Sequence, residues 1–319
     1  MRFPALLLVL GVVIAPATGA TTRRHPATVT VAAVGDIACD PTDPDFNHGA
    51  GTSTHCHEKQ TSDLVVGRHL AAVLGLGDFQ YSCDAPADFK ASFTPTWGRV
   101  KRLIHPAPGN HEYLPYPDPS GTNDCPSDAA GYYDYFGRSA GSRKRGGYYS
   151  FNLGRWHLVV LNSECNLIGG CQVGSPEESW LRHDLARHRT LCTLAYWHRP
   201  YFTSSGLINR YDRFRPFWDD LLRFGAEIVL NGHRHNYERF VPQDALGRPD
   251  PARGIREFIV GTGGDWLEPI QHPLPTSEVH NEQTFGVLFL TLGPRSYSWR
   301  FVPEAGAVFT DSGSSPCHR

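Results

Sequence analysis

Short apolar runs recur along the chain, and each stops abruptly at Gly, Asn or Asp. Residues 28–34 (TVTVAAV) read as a strand that ends at Gly35-Asp36. A second run, 72–76, ends at Gly77-Asp78, and a third, 104–108, ends at Gly109-Asn110-His111. The runs YYSFNL and WHLVVLNS flank Gly154-Arg155 and predict a hairpin. Residues 193–197 lead into His198, and Ile228-Val229-Leu230 leads into Asn-Gly and then His233 and His235. Further strands are predicted at 255–260, 285–291 and 296–302.

Helices are predicted over 61–70, 86–102, 175–187 and 214–224. The third opens with Ser175, Pro176 and, three residues after the serine, Glu178. That is a capping box with proline placed where its missing N–H costs nothing. The fourth is closed by Gly225. Residues 40–60 and 113–145 read as loops. No repeat and no linker divides the chain, which predicts one catalytic domain over residues 21–319.

The first twenty residues, MRFPALLLVLGVVIAPATGA, place one arginine before a short apolar run that ends in small residues. This reads as a secretory signal peptide, because the run is short for a membrane span. The remaining chain is expected to be exported and soluble. Eight cysteines fit an oxidising compartment. Cys165–Cys171 is the easiest pair, closing a tight loop across Gly169-Gly170. Cys39–Cys56 and Cys83–Cys125 are suggested by proximity to one face, and Cys192–Cys317 then follows. The 319-residue chain has a formal net charge of −2, which implies no nucleic-acid or membrane-surface partner.

The polar residues that end the strands form a chemical set: Asp36, Asp78, Asn110, His111, His198, His233 and His235. Ligands of α/β folds bind outside the carboxyl ends of strands. Several separate strands that deliver carboxylates, an amide and imidazoles to one edge are hard to explain as loop polarity. The mixture of hard oxygen and borderline nitrogen suits catalytic Fe, Mn or Zn. The donors exceed the needs of one tetrahedral ion and suit two ions sharing a carboxylate. Tyr81 stands three residues after Asp78. A phenol with pKa about 10 rarely ligates a divalent ion and suits a trivalent one.

The segments VGDIA, GLGDFQY, GNHE, YWHRP and NGHRH, in this order, resemble those of the purple acid phosphatases within the calcineurin-like metallophosphoesterases. The resemblance implies a four-layer α-β-β-α sandwich: two mixed sheets packed face to face and flanked by helices. It implies that Asp36, Asp78, Tyr81 and His235 bind Fe(III). Asp78, Asn110, His198 and His233 would bind a divalent ion (Zn, Fe or Mn), with Asp78 bridging. His111 would contact the substrate phosphate or protonate the leaving group, and Glu112 beside it would favour the imidazolium. His233 and His235, two residues apart in an extended segment, would face one ion each, with Arg234 pointing away.

The activity implied is a secreted acid phosphatase that hydrolyses small phosphate monoesters by attack of metal-bound hydroxide. A phosphodiesterase or nucleotidase remains open on the motifs alone, as does a silent exported binding protein. Three departures from the family pattern stand out. Ala38 follows Ile37 where glycine is usual. The loop with His48, His55 and His57 lengthens the gap between Asp36 and Asp78. Ile208-Asn209 stand where some members carry a further substrate histidine. The stretch Gly261–Asp265 reads as a tight turn under the site rather than a phosphate cradle, since no helix clearly follows it.

Overall fold

The computed structural model describes residues 28–113, 128–188 and 192–318. The expected signal peptide and Cys125 lie outside them. Two mixed sheets carry the fold. The first holds β1 (Val29–Val34), β2 (Ala72–Gly75), β3 (Ile104–Pro106), β11 (Gly286–Leu292), β12 (Ser296–Pro303) and β13 (Ser312–Pro316). Its spatial order is β13-β12-β11-β1-β2-β3.

The second holds β4 (Tyr149–Leu153), β5 (Trp156–Val160), β6 (Cys192–Tyr196), β7 (Ile228–Asn231), β8 (Tyr237–Phe240), β9 (Arg256–Val260) and β10 (Ser277–Asn281). Its order is β10-β8-β9-β7-β6-β5-β4. In each sheet the central strands run parallel: β1 with β2 and β3, and β5 with β6, β7 and β9. Strands β2, β5, β6, β7 and β9 are buried throughout. Parallel strands covered on both faces read as continuous apolar runs, which is how they stand in the sequence.

Val31, Leu74, Leu158, Leu194, Leu230, Phe258 and Leu290 interleave between the sheets. The outer face of the second sheet packs on α4 (Pro176–Arg187) and α5 (Arg215–Phe224) through Leu181, Leu185, Trp197, Phe217, Trp218 and Leu221. The outer face of the first packs on a set of short helical turns: α1 (Glu58–Asp63), α2 (Pro86–Asp88), α3 (Ala130–Phe136) and the turns between them. The result is the expected four-layer α-β-β-α sandwich.

Ser175 caps α4 by accepting from the Glu178 backbone N–H at 3.3 Å, and Gly225 ends α5 in a left-handed conformation. Several expectations shift. Of the helix predicted at 61–70 only 61–63 are helical: α1 starts three residues earlier and ends at Asp63, and the chain turns after it. Thr61 is inside α1 and donates to the Gly263 carbonyl, a tertiary bond. The helix predicted at 86–102 is broken into α2, a wide turn at Phe89–Phe93 and a tight turn at Trp97–Leu103. Phe89, Phe93 and Trp97 all pack into one core from these separate turns. The loop predicted at 113–145 contains α3, whose Tyr132, Tyr133 and Phe136 pack into that core.

Disulfides join Cys39–Cys56, Cys165–Cys171 and Cys192–Cys317. The expected Cys83–Cys125 pair falls on Cys125, outside the described residues. Among the described residues, no helix is long and apolar enough to cross a membrane.

Candidate metal centre

The parallel strands of both sheets end at one edge, and the seven polar residues that follow them gather there. Asp36 and Asp78 follow β1 and β2. Asn110 and His111 follow β3. His198 follows β6, and His233 and His235 follow β7. Asp36, Asp78 and His233 adopt left-handed backbone, with φ of 59°, 51° and 69°. Such a conformation costs a non-glycine residue about 1–3 kcal/mol and persists where the surroundings enforce it. Here it turns each side chain back across the sheet edge. Gly109 is required for the same approach, since a Cβ there would lie 2.2 Å from Asp78 Oδ1.

Three histidines are oriented alike. The Nδ1 of His198 bonds the Leu76 carbonyl at 2.8 Å, that of His235 the Trp266 carbonyl at 3.0 Å, and that of His111 the Ser82 carbonyl at 2.7 Å. A carbonyl only accepts, so each Nδ1 is the donor and each Nε2 is presented to the site. The Nε2 of His198 lies 3.0 Å from Asp78 Oδ2 and 3.2 Å from Asn110 Oδ1. The Nε2 of His235 lies 3.1 Å from Tyr81 Oη and 3.4 Å from Asp36 Oδ1. Tyr81 Oη in turn lies 3.1 Å from Asp36 Oδ1 and 3.3 Å from Asp78 Oδ2. Two donor groups therefore form, and Asp78 Oδ2 touches both. Asp78, His198 and His233 also offer donor atoms within 4.8 Å of one another. Separations near 3 Å are those of ligands around a common ion with bonds of about 2.0–2.2 Å.

Charge follows burial. Desolvation pushes Asp36 up to about 8, against the pull of His198 and with the help of the Asp78 charge. Burial would also raise Asp78, but the His198 and His111 imidazoles hold it well below the ordinary carboxylate range. Burial opposes charge on His198, yet Asp78 lifts it to about 9. Burial lowers His233 strongly and His235 to about 4, so both stand as neutral bases, the form that binds a metal. Burial and the charges of Asp36 and Asp78 push the Tyr81 phenol well above its ordinary value. This donor set fits two cations: two carboxylates, a phenol, an amide oxygen and imidazoles that turn Nε2 toward them.

Glu112 is buried and accepts from the backbone N–H groups of Phe79 at 2.7 Å, Asp78 at 3.0 Å and Gly109 at 2.6 Å. It ties the turn after β2 to the turn after β3. Segment 232–236 is not extended: the Arg234 N–H donates to the Gly232 carbonyl at 2.8 Å and the Asn236 N–H to the Arg234 carbonyl at 2.7 Å. The two histidines face different donor groups because the chain bends between them. Arg234 does point away, toward Tyr211 Oη and Glu268.

The turn 261–265 packs under the site as expected, with the Gly263 N–H on the Gly35 carbonyl at 3.0 Å. Its Asp265, not anticipated, sets a buried carboxylate oxygen 3.9 Å from His235 Nδ1. Also unforeseen are Trp266, packed on the His235 ring at 4.7 Å, and Arg199, 3.0 Å from His233 Nε2. Arg199 lies inside the YWHRP motif, so proximity in sequence to His198 was the available signal. The other two carry no local signature.

Comparison with known proteins agrees with this arrangement. No family model matches the chain. It is 28% identical over 233 residues to purple acid phosphatase 15 of Arabidopsis thaliana, a match covering 66% of this chain and 40% of that protein. It is 30% identical over 147 residues to purple acid phosphatase 18 of the same plant, covering 44% and 32%. Among solved structures, a purple acid phosphatase from yellow lupin (Lupinus luteus) seeds superposes with a TM-score of 0.69 at 18% identity, over 90% of this chain and 53% of that one. The chain is purple acid phosphatase-like. It matches less than half the length of those two plant proteins, so the purple acid phosphatase likeness covers the sandwich and its edge and does not by itself carry over an activity.

Proposed function

We propose that the chain is a secreted hydrolase that cleaves small phosphate monoesters at a binuclear metal centre, with an acidic optimum. The observation that supports this best is Asp78 Oδ2, which stands between a Tyr81–Asp36–His235 group and a His198–Asn110 group. In this reading Asp36, Asp78, Tyr81 and His235 hold an Fe(III), and Asp78, Asn110, His198 and His233 hold a divalent ion. The chemistry supplied by such a bound pair is activation of a water nucleophile and neutralisation of phosphoryl charge. Tyr81 favours a trivalent partner because a phenol so far raised ionises only against a strong charge.

His111 is the proton donor to the leaving oxygen. Its ring lies against Tyr81 at 4.3 Å, with Nε2 4.0 Å from Asp78 Oδ2 and Nδ1 fixed on Ser82. A group so oriented gives its Nε2 proton to the departing alkoxide and regains one from solvent. Glu112 keeps the turns that carry Asp78 and Asn110 together. The disulfides Cys39–Cys56, Cys165–Cys171 and Cys192–Cys317 accord with an oxidising compartment, and we read residues 1–20 as the export signal.

A visible absorption spectrum with elemental analysis tests the reading. The expected result is a violet band, lost in Tyr81→Phe, and about two metals per chain including iron. A colourless protein holding two divalent ions and no iron would sink the phenolate–iron assignment. Faster turnover of a nitrophenyl diester than of the monoester would overturn the substrate class.

A further inference from the structure

Arg199 reaches the donor atoms of the site without belonging to either ligand group. It follows His198 at the end of β6. Its backbone N–H donates to Ser163 Oγ at 3.1 Å, and its Nε donates to Glu164 Oε1 at 2.7 Å. Glu164 is itself placed by a bond from its N–H to Asn162 Oδ1 at 2.8 Å. The segment after β5 thus clamps one edge of the guanidinium. The other edge faces the site, where Nη1 lies 3.0 Å from His233 Nε2. Only about a fifth of the side chain is exposed.

A guanidinium has N–H donors and no acceptor, so it needs a lone pair on His233 Nε2. A cation bound at that lone pair takes the acceptor away and sets two positive groups side by side. Glu164 holds Arg199 by Nε and limits its retreat. An anionic oxygen between them satisfies both the ion and the unused N–H groups. Guanidinium geometry matches two phosphoryl oxygens at once, which a point charge does not.

We infer that Arg199, held by Glu164, is a phosphoryl-oxygen clamp that selects dianionic phosphate monoesters over monoanionic diesters. This rests on the phosphoesterase reading of the site. A monoester presents a terminal phosphoryl group with two charges and unsubstituted oxygens. In a diester one of those oxygens carries a second organic group, and one charge is gone. The clamp loses both a partner oxygen and half of the charge it answers. Arg199 is a specificity-determining residue in this account, and Glu164 is a positioning residue that acts through it.

The test uses the metal-loaded full chain and its Arg199→Ala, Arg199→Lys and Glu164→Gln variants. Inorganic phosphate binding is followed by titration calorimetry. The kcat/KM is measured for a nitrophenyl monoester and a bis-nitrophenyl diester. Metal content is checked in every variant. With metal content unchanged, Arg199→Ala should weaken phosphate binding and monoester kcat/KM by roughly tenfold to a hundredfold, as for loss of a hydrogen bond to a charged group. Diester turnover should fall much less, so the monoester preference shrinks. Arg199→Lys should restore part of the phosphate affinity, and Glu164→Gln should give a smaller loss of the same kind.

Equal losses on both esters, or unaltered phosphate affinity in Arg199→Ala, would overturn the clamp. So would loss of metal in that variant, which would make Arg199 part of the metal site's scaffold. If the unaltered protein binds no phosphate and cleaves neither ester, the phosphoesterase reading fails first and the clamp with it.

Discussion

Two clusters of histidine and carboxylate sit on neighbouring strands, and they are built to opposite ends. One is the strand-edge group of Asp78, His198 and His233. The other joins His157 of β5 to Asp184 and His188 at the end of α4. Each offers three donor atoms within 4.8 Å. In the second cluster both nitrogens of His157 are engaged by side chains: Nδ1 with Asn152 Oδ1 at 2.8 Å and Nε2 with Asp184 Oδ2 at 2.7 Å. His188 lies flat against the His157 ring, centroids 4.4 Å apart and planes at 16°. Imidazole lone pairs lie in the ring plane, so those of two stacked rings cannot converge on an ion about 2.0–2.1 Å from each.

In the edge cluster the Nδ1 atom of His198 is taken by a main-chain carbonyl, leaving Nε2 to converge with carboxylate and amide oxygens. Residue composition is the same in both. What differs is which atom the backbone has already claimed. The second cluster is a strut that ties α4 to the hairpin of β4 and β5, with Ser150 Oγ donating to Asp184 Oδ1 at 3.0 Å.

The sharpest way to break this contrast is to remove one carboxylate from each cluster. Asp78→Asn should lower metal content and reduce monoester turnover by more than about a hundredfold, exceeding what loss of an outer hydrogen bond to a metal ligand typically costs. Asp184→Asn should leave metal content and turnover as they were and lower stability by about 1–3 kcal/mol, because His157 loses a charged partner. Elemental analysis and denaturant unfolding read the two effects separately. Metal loss in Asp184→Asn would show the second cluster to be more than a strut.

A smaller effect is expected from Glu112→Gln. An amide presents donors as well as acceptors to the three N–H groups that Glu112 now serves. Metal affinity should fall by roughly 10–100-fold, in the range seen when the support of a ligand is lost. Competition with a coloured chelator measures it. Unchanged affinity would mean that the two turns hold together without this bridge.

The pH dependence of the metal-free protein gives the next effect. Burial pushes Glu112 up to about 8 and Glu58 up to about 7. Both are acids whose folded pKa exceeds the unfolded one, so the folded state holds more protons between the two values. Their contribution to stability is fully present below about pH 4.5 and is lost as pH rises toward about 8, opposite to that of the depressed His233 and His235. Unfolding midpoints of the chelated protein should therefore fall less steeply across that window in Glu58→Gln than in the unaltered protein. The same slope in both would show that Glu58 is ionised in the fold. The smallest effect belongs to Trp266→Ala. The bond to His235 comes from the main chain at 266 and survives the substitution. Stability should change by no more than about 0.5 kcal/mol, the usual size for a half-exposed position.

The candidate ligand set was legible because a parallel strand can show its end in sequence: an apolar run, a glycine, then a polar residue. Asp36, Asp78, Asn110 and His233 all stand in that frame, while His198 follows its apolar run with no glycine between. Helix α4 was legible for a similar reason, since its Ser175-Pro176-Glu178 start is local chemistry. Strands β8, β10 and β13 were not, because β8 carries Glu238 and Arg239 into buried partners and the other two are polar edges. Their pairing is set by contacts distant in sequence.

The sequence by itself determined which donor types arrive at the sheet edge and in which order, because strand periodicity and glycine placement are local properties. The tertiary structure decided what each of them does there. Glu112 adjoins His111 in sequence but turns to three main-chain N–H groups. Arg199 is aimed by a glutamate 35 positions away. The ring nitrogens of His157 and His198 are told apart only by what each one meets in space. Hydrogen bonds select single atoms, and the partner of an atom is fixed by packing between segments that the chain order does not bring together.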